Sequence, residues 1–134
     1  MNTVNQNNIP QKLKDIARFC CWRYESIKGR RTKVPYNPVT GHKARTNQPT
    51  TFTAFDAAVT ATGYDGIGIR VANGIAGIDL DHCMENGILL PWAQEIVDKF
   101  HSTYIEVSPS GTGTRIFCLV PDNFTYDPST YYIK

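Results

Sequence analysis

No apolar run in the chain approaches the roughly 20 residues that a membrane span requires, and the opening Met1-Asn2-Thr3-Val4-Asn5-Gln6-Asn7-Asn8 is too polar for a secretory leader. No membrane partner is expected, and a cytoplasmic location is. The four cysteines, at 20, 21, 83 and 118, lack the paired short spacings of a zinc site. Cys20 and Cys21, adjacent on a strand, would point to opposite faces, so buried reduced thiols are expected rather than disulfides. A GxxxxGK(S/T) phosphate loop is missing, and so is any Ser-His-Asp arrangement for nucleophilic catalysis. Acid is scarce early on. Ten of the fourteen Lys and Arg fall in residues 1–45 against only Asp15 and Glu25, and six basic residues stand between Ser26 and Phe55 with no acid among them. Such a run is either a solvated face or a polyanion-binding surface.

What is present suits one globular domain over residues 1–134, with a flexible start at 1–8. The 41% hydrophobic and 19% charged residues are ordinary for such a domain, and neither a repeat nor a dividing linker is evident. Pro10 and the spacing of Ile9, Leu13, Ile16 and Ala17 predict a short helix over 9–19, followed by a strand at 20–24. Gly29, Pro35, Pro38, Gly41 and Pro49 predict a long basic ordered loop over 26–50, turning at 37–41. A helix at 53–61, capped by Thr51 or Thr53, precedes strands at 66–71 and 75–81, which the Asn73-Gly74 dipeptide is expected to join as a hairpin. A helix at 91–100 has Trp92, Ile96, Val97 and Phe100 along one face, and strands at 103–108 and 114–120 flank a Gly-rich loop. The tail from Asp122 has no clear pattern. This order predicts an α+β fold with a mixed or largely antiparallel sheet and flanking helices.

Three stretches carry candidate chemistry. In Gly74-Ile75-Ala76-Gly77-Ile78-Asp79-Leu80-Asp81-His82-Cys83 an apolar strand presents Asp79 and Asp81 two residues apart, on one face if the strand continues. Paired carboxylates repel unless a cation lies between them, so they read either as ligands of Mg2+ or Mn2+ or as solvated acids at a strand end. His82 and Cys83 could add ligands, although a single histidine beside acids more commonly hydrogen-bonds locally. In Ser108-Pro109-Ser110-Gly111-Thr112-Gly113-Thr114-Arg115, glycines let backbone amides approach an anion, hydroxyls add donors, and Arg115 can fork onto a phosphate; the bland alternative is an ordinary hairpin. The third stretch is the basic loop, in which Lys28, Arg30, Arg31, Lys33, Lys43 and Arg45, interleaved with Tyr36 and His42, could follow a nucleic-acid backbone or hold a triphosphate.

Lys33-Val34-Pro35-Tyr36-Asn37-Pro38, Thr40-Gly41-His42-Lys43-Ala44, Gly66-Ile67-Gly68-Ile69, Gly77-Ile78-Asp79-Leu80-Asp81-His82-Cys83 and Ser108-Pro109-Ser110-Gly111-Thr112-Gly113 occur in order. Together they resemble the N-terminal primase-polymerase domain of phage and plasmid replication proteins, within the archaeo-eukaryotic primase superfamily. The resemblance implies part of that fold and a metal-dependent, template-directed nucleotidyltransferase, encoded by a phage or plasmid in a bacterial host. It would act on a DNA template and primer with nucleoside triphosphates. Asp79 and Asp81 match the family's metal-binding motif. The family's second motif, a Ser-x-His within the Gly-rich loop, is matched in part by Thr112 to Arg115, with Arg115 standing where the family usually has histidine; Ser108, Ser110, Gly111, Thr112, Gly113 and Arg115 would then hold phosphates. Arginine can neutralise a triphosphate but cannot serve as a neutral imidazole. The family's third motif, another metal-binding carboxylate on a later strand, is not reached before Tyr131-Tyr132-Ile133-Lys134.

That departure opens a second expectation, a short non-catalytic relative that binds nucleic acid, or a host protein as an inhibitor of replication or antiviral defence. A third is a metal-dependent phosphodiesterase or nuclease, because paired aspartates and a phosphate loop do not distinguish hydrolysis from transfer.

Overall fold

In the computed structural model, residues 5–125 are described. The expected flexible start lies outside them at residues 1–4, while Gln6–Asn8 form a turn of 3-10 helix; the tail beyond residue 125 is likewise outside. The chain comprises two compact units, residues 1–73 and 74–134. No helix among the described residues is long and apolar enough to cross a membrane.

The first unit holds α1 (Gln11–Ile16), β1 (Phe19–Ile27), β2 (Arg30–Tyr36), α2 (Phe55–Thr60) and β3 (Gly66–Ile69). Its sheet runs β2-β1-β3, antiparallel throughout. The helix expected over 9–19 is shorter, because Ala17 turns extended and the aromatic, bulky run from Phe19 enters the central strand. The loop expected over 26–50 is corrected more strongly: its first part is a β-hairpin. Lys28 and Gly29 both take positive φ, 50° and 76°, the two-residue turn whose twist matches the flanking strands. Its second strand is hard to read because it lies at a sheet edge. The first three residues of β2 are exposed, and only the alternation of buried Val34 and Tyr36 betrays the strand. An edge also tolerates Pro35.

The turn at Asn37-Pro38-Val39-Thr40-Gly41 forms as expected, closed by Gly41 N–H donating to Asn37 O at 2.8 Å and Val39 N–H to Asn37 Oδ1 at 3.0 Å. Thr51 caps no helix. Its hydroxyl accepts from Arg45 N–H at 2.8 Å and donates to Gln48 O at 2.7 Å, closing the loop before α2, whose N-cap is Ala54.

Central β1 is covered on both sides, which accounts for its adjacent buried cysteines. Cys20 clusters with Ala44 and Phe52, and Cys21 Sγ donates to Ala58 O of α2 at 3.2 Å. Both thiols are pushed up to about 11, chiefly by burial, and Cys20 additionally by the neighbouring Cys21. All four cysteines are free, as expected, although Cys118 is only half-buried.

The second unit holds β4 (Ile75–Leu80), β5 (Met84–Glu85), β6 (Ile88–Leu89), α3 (Pro91–Lys99), β7 (Tyr104–Val107) and β8 (Thr114–Leu119). Its main sheet runs β4-β8-β7, again antiparallel, with β8 central. Fully buried Ile116, Cys83 and Ala93 form its core with Leu80; Ile78, Met84, Leu89, Ile96, Val97, Phe100 and Ile105 pack around them. Trp92, expected on the inner face of α3, is exposed, and Ala93 takes the buried position. One helical step separates them, and the small residue permits close approach to the sheet.

The Asn73-Gly74 hairpin is not formed. Both residues do take positive φ, 57° and 84°, yet β3 pairs with β1 and β4 with β8. It is Asn86-Gly87, with φ of 52° and 77°, that turns a hairpin, between β5 and β6. The dipeptide specifies a local turn and leaves strand partners to packing. The fold is thus α+β with antiparallel pairing among the described strands, as expected, but divided between two three-stranded sheets and one ribbon.

Candidate functional site

Strand β4 sorts its residues by alternation. Ile78 and Leu80 face the core of the second unit, which leaves the Asp79 side chain 59% exposed. The strand ends at Leu80, so Asp81 is not a strand residue as expected; it opens a turn in which His82 takes φ 51°. Asp81 and His82 are exposed, whereas Cys83 is fully buried with its thiol donating to Thr114 Oγ1 at 3.4 Å.

The turn is tied to the Gly-rich loop. Thr112 O accepts from Cys83 N–H at 2.9 Å and from Met84 N–H at 3.1 Å. Gly113 packs against the end of β4 so closely that a Cβ there would lie 3.1 Å from Leu80 O and 3.0 Å from Ser108 Oγ. Within the loop, Ser108 Oγ lies 2.9 Å from Ser110 Oγ, which lies 2.9 Å from Thr112 Oγ1. Gly111 N–H donates to Ser108 O at 2.8 Å and Gly113 N–H to Ser108 Oγ at 3.0 Å. These two amides, expected to cradle an anion, therefore serve the loop itself. Ser110 and Thr112 are exposed, and their hydroxyls join Arg115 as the donors on offer.

Arg115, on central β8, stands in register with Asp79 on β4 and Glu106 on β7. Its Nε lies 3.7 Å from Asp79 Oδ1 and its Nη1 3.9 Å from Glu106 Oε1. Each pair is long and solvated, worth about 0.2–1 kcal/mol, so a ligand can compete for it. Glu106 Oε2 accepts from Tyr104 OH at 3.0 Å, and Tyr104 stacks on Phe117 at 6.2 Å. Burial raises the Tyr104 phenol well above its ordinary value, and the Glu106 charge adds to this. Sequence reasoning misses Glu106 and Tyr104. The signal for them is the alternation of Tyr104 and Glu106 with Ile105, on a predicted strand antiparallel to the one carrying Arg115.

Among the described residues no three His, Cys, Asp or Glu form a group able to hold a metal ion. Asp79 and Asp81 are both exposed carboxylates. One or two carboxylates is the number that a hydrated Mg2+ or Mn2+ commonly takes from a protein, in place of a closed cage.

The basic residues lie in the first unit. Lys28 sits in the hairpin turn and Arg30, Arg31 and Lys33 on β2. The Arg31 guanidinium lies 3.7 Å from the Tyr24 ring centre and Lys33 Nζ 4.8 Å from that of Trp22, so rings hold both cations. Lys43 bridges to the end of β2 opposite Tyr36, and exposed Arg45 lies in the following loop. Tyr36 itself is 7% exposed. Its hydroxyl donates to the Glu25 carboxylate at 2.7 Å, and Arg23 lies 4.5 Å from its ring centre.

No family model matches the chain. It is similar to the DNA primase-polymerase of Nitratiruptor phage NrS-1, with 32% identity over 111 residues, covering 78% of this chain and 15% of that protein. The chain therefore spans about 15% of the length of the curated relative it matches. The similarity supports a primase-polymerase-type domain.

Proposed function

We propose that this chain is a primase-polymerase domain of a phage or plasmid replication protein, transferring nucleotides onto a DNA primer in a metal-dependent, template-directed reaction. The observation that carries the reading is that Arg115 lies 3.7 Å from Asp79, while the turn opened by Asp81 is tied through the backbone of Cys83 and Met84 to Thr112 of the hydroxyl-rich loop. A divalent ion, when bound, would supply charge neutralisation of the triphosphate and a lowered pKa for the primer hydroxyl.

The chain's own groups do the rest. Asp79 and Asp81 provide the anionic donors. Arg115 neutralises phosphate charge and, as a permanent cation, leaves proton movement to other groups. The hydroxyls of Ser110 and Thr112 orient the phosphates, on a loop shaped by the turn at Gly111, the close packing of Gly113 against Leu80 and the Gly113 N–H bond to Ser108 Oγ. Lys28, Arg30, Arg31, Lys33, Lys43 and Arg45 hold the backbone of template or primer through charge. Buried Tyr36 supports the hairpin end rather than touching a base.

The deciding experiment is extension of a labelled primer on a DNA template with Mg2+ or Mn2+. Extension by the wild type and its loss in the Asp79→Asn/Asp81→Asn double variant is the expected result; undiminished extension by that variant overturns the site.

One observation favours a second reading. Arg115 already lies beside Asp79 as a counter-ion, as in a protein that retains the surface for binding nucleic acid or a host protein without catalysis. DNA binding without extension by the wild type would favour it. Release of nucleotides from labelled DNA, with metal and no triphosphate, would instead indicate a nuclease.

A further inference from the structure

We propose that Glu106 is a positioning residue of the site, holding the Arg115 guanidinium upright over β8 so that its free edge meets the triphosphate. The proposal rests on the nucleotidyltransferase reading above. Arg115 has an acid on each side, one on each flanking strand. With Asp79 alone, the guanidinium would be drawn over β4, onto a carboxylate that the metal needs. Glu106 opposes that pull from β7 through Nη1 at 3.9 Å, while Asp79 faces Nε at 3.7 Å. The two pairs leave Nη2 of the planar fork for a phosphate oxygen.

Glu106 is itself anchored. Its second carboxylate oxygen takes the Tyr104 hydroxyl at 3.0 Å, and the Tyr104 ring is stacked against Phe117 at 20° between planes. A residue kept only for sheet pairing needs neither the charge nor this tether. The sequence Tyr104-Ile105-Glu106 thus places a ring, a core residue and an acid so that ring and acid share the face that carries Arg115.

Glu106→Gln keeps the shape and an oxygen for Tyr104 but removes the charge; Glu106→Asp is the second variant. Binding of a fluorescent N-methylanthraniloyl deoxyadenosine triphosphate with Mg2+ is measured for the full chain, together with the Arg115 Nε–H resonance and the unfolding midpoint. The expected result is affinity weaker by about fivefold in Glu106→Gln, partial recovery in Glu106→Asp, a shifted Arg115 resonance and an unchanged midpoint. In an Arg115→Ala background the Glu106 substitution has no further effect. Equal affinity of wild type and Glu106→Gln, or an equal loss in the Arg115→Ala background, overturns the proposal. If the wild type binds no triphosphate, the nucleotidyltransferase reading fails. The resonance then decides alone: a shift on Glu106→Gln upholds the positioning of Arg115, and an unmoved resonance refutes it.

Discussion

The indole of Trp22 lies across the place where Gly66, its partner in register on β3, would carry a side chain: a Cβ there would stand 2.5 Å from Cζ2 of the ring. The indole Nε1–H donates to Ile67 O at 3.0 Å, fixing the ring over the glycine. Lys33 then sits over that ring, so the placement of a cation on β2 depends on the absence of a side chain on β3. Gly66→Ala is expected to displace the indole and destabilise the protein by about 1–3 kcal/mol, measured by urea unfolding. Gly68→Ala, where the nearest atom is Cys20 Sγ at 3.0 Å, should cost less.

The ring-held cations give a prediction for nucleic-acid binding. Replacing Arg31 and Lys33 together by alanine should weaken binding of single-stranded DNA. It should also flatten the dependence of log affinity on log salt by about 0.7 for each phosphate that is no longer neutralised. Fluorescence anisotropy titrations between low and moderate salt read both effects. An unchanged slope would remove β2 from the interface.

Arg115→Ala is expected to weaken nucleotide binding and primer extension together, while Arg115→His retains more of both at low pH than at high pH, because an imidazolium carries the charge that a neutral imidazole lacks. Steady-state extension at a series of pH values tests this. Wild-type-like nucleotide affinity in Arg115→Ala would remove that side chain from phosphate binding.

The cysteines of β1 give a pH dependence. Cys20 and Cys21 have thiols pushed up to about 11 from an ordinary 9.0. Above the unfolded value the unfolded chain loses these protons first, so it binds fewer protons than the folded chain and stability falls as pH rises. The contribution is complete below about pH 9 and is lost as pH climbs through about 11. Unfolding midpoints measured over that interval should decline more steeply for the wild type than for Cys21→Ala, compared as changes from each protein's own value at pH 8.

The elements with strong internal periodicity are legible in the sequence: α3 from Pro91 and its apolar spacing, and β7, β8 and β4 from alternation. What escapes depends on partners distant in sequence. β2 looks like a loop because its first residues are exposed and Pro35 interrupts it, and only pairing with β1 makes it a strand. Asn73-Gly74 and Asn86-Gly87 both take positive φ at both residues, and nothing local tells which one will join paired strands. At the site, the stretch from Ser108 to Arg115 and the aspartate pair are visible as motifs. Glu106 is not, because its meaning comes from the register of β7 against β8 rather than from its neighbours in the chain.

Thr112 O, accepting both Cys83 N–H and Met84 N–H, has further mechanical significance. A carbonyl oxygen has two lone pairs, and both are committed here to one strand of backbone. The Gly-rich loop and the turn that bears Asp81 are therefore riveted at a single atom, and parting them there costs two backbone hydrogen bonds at once.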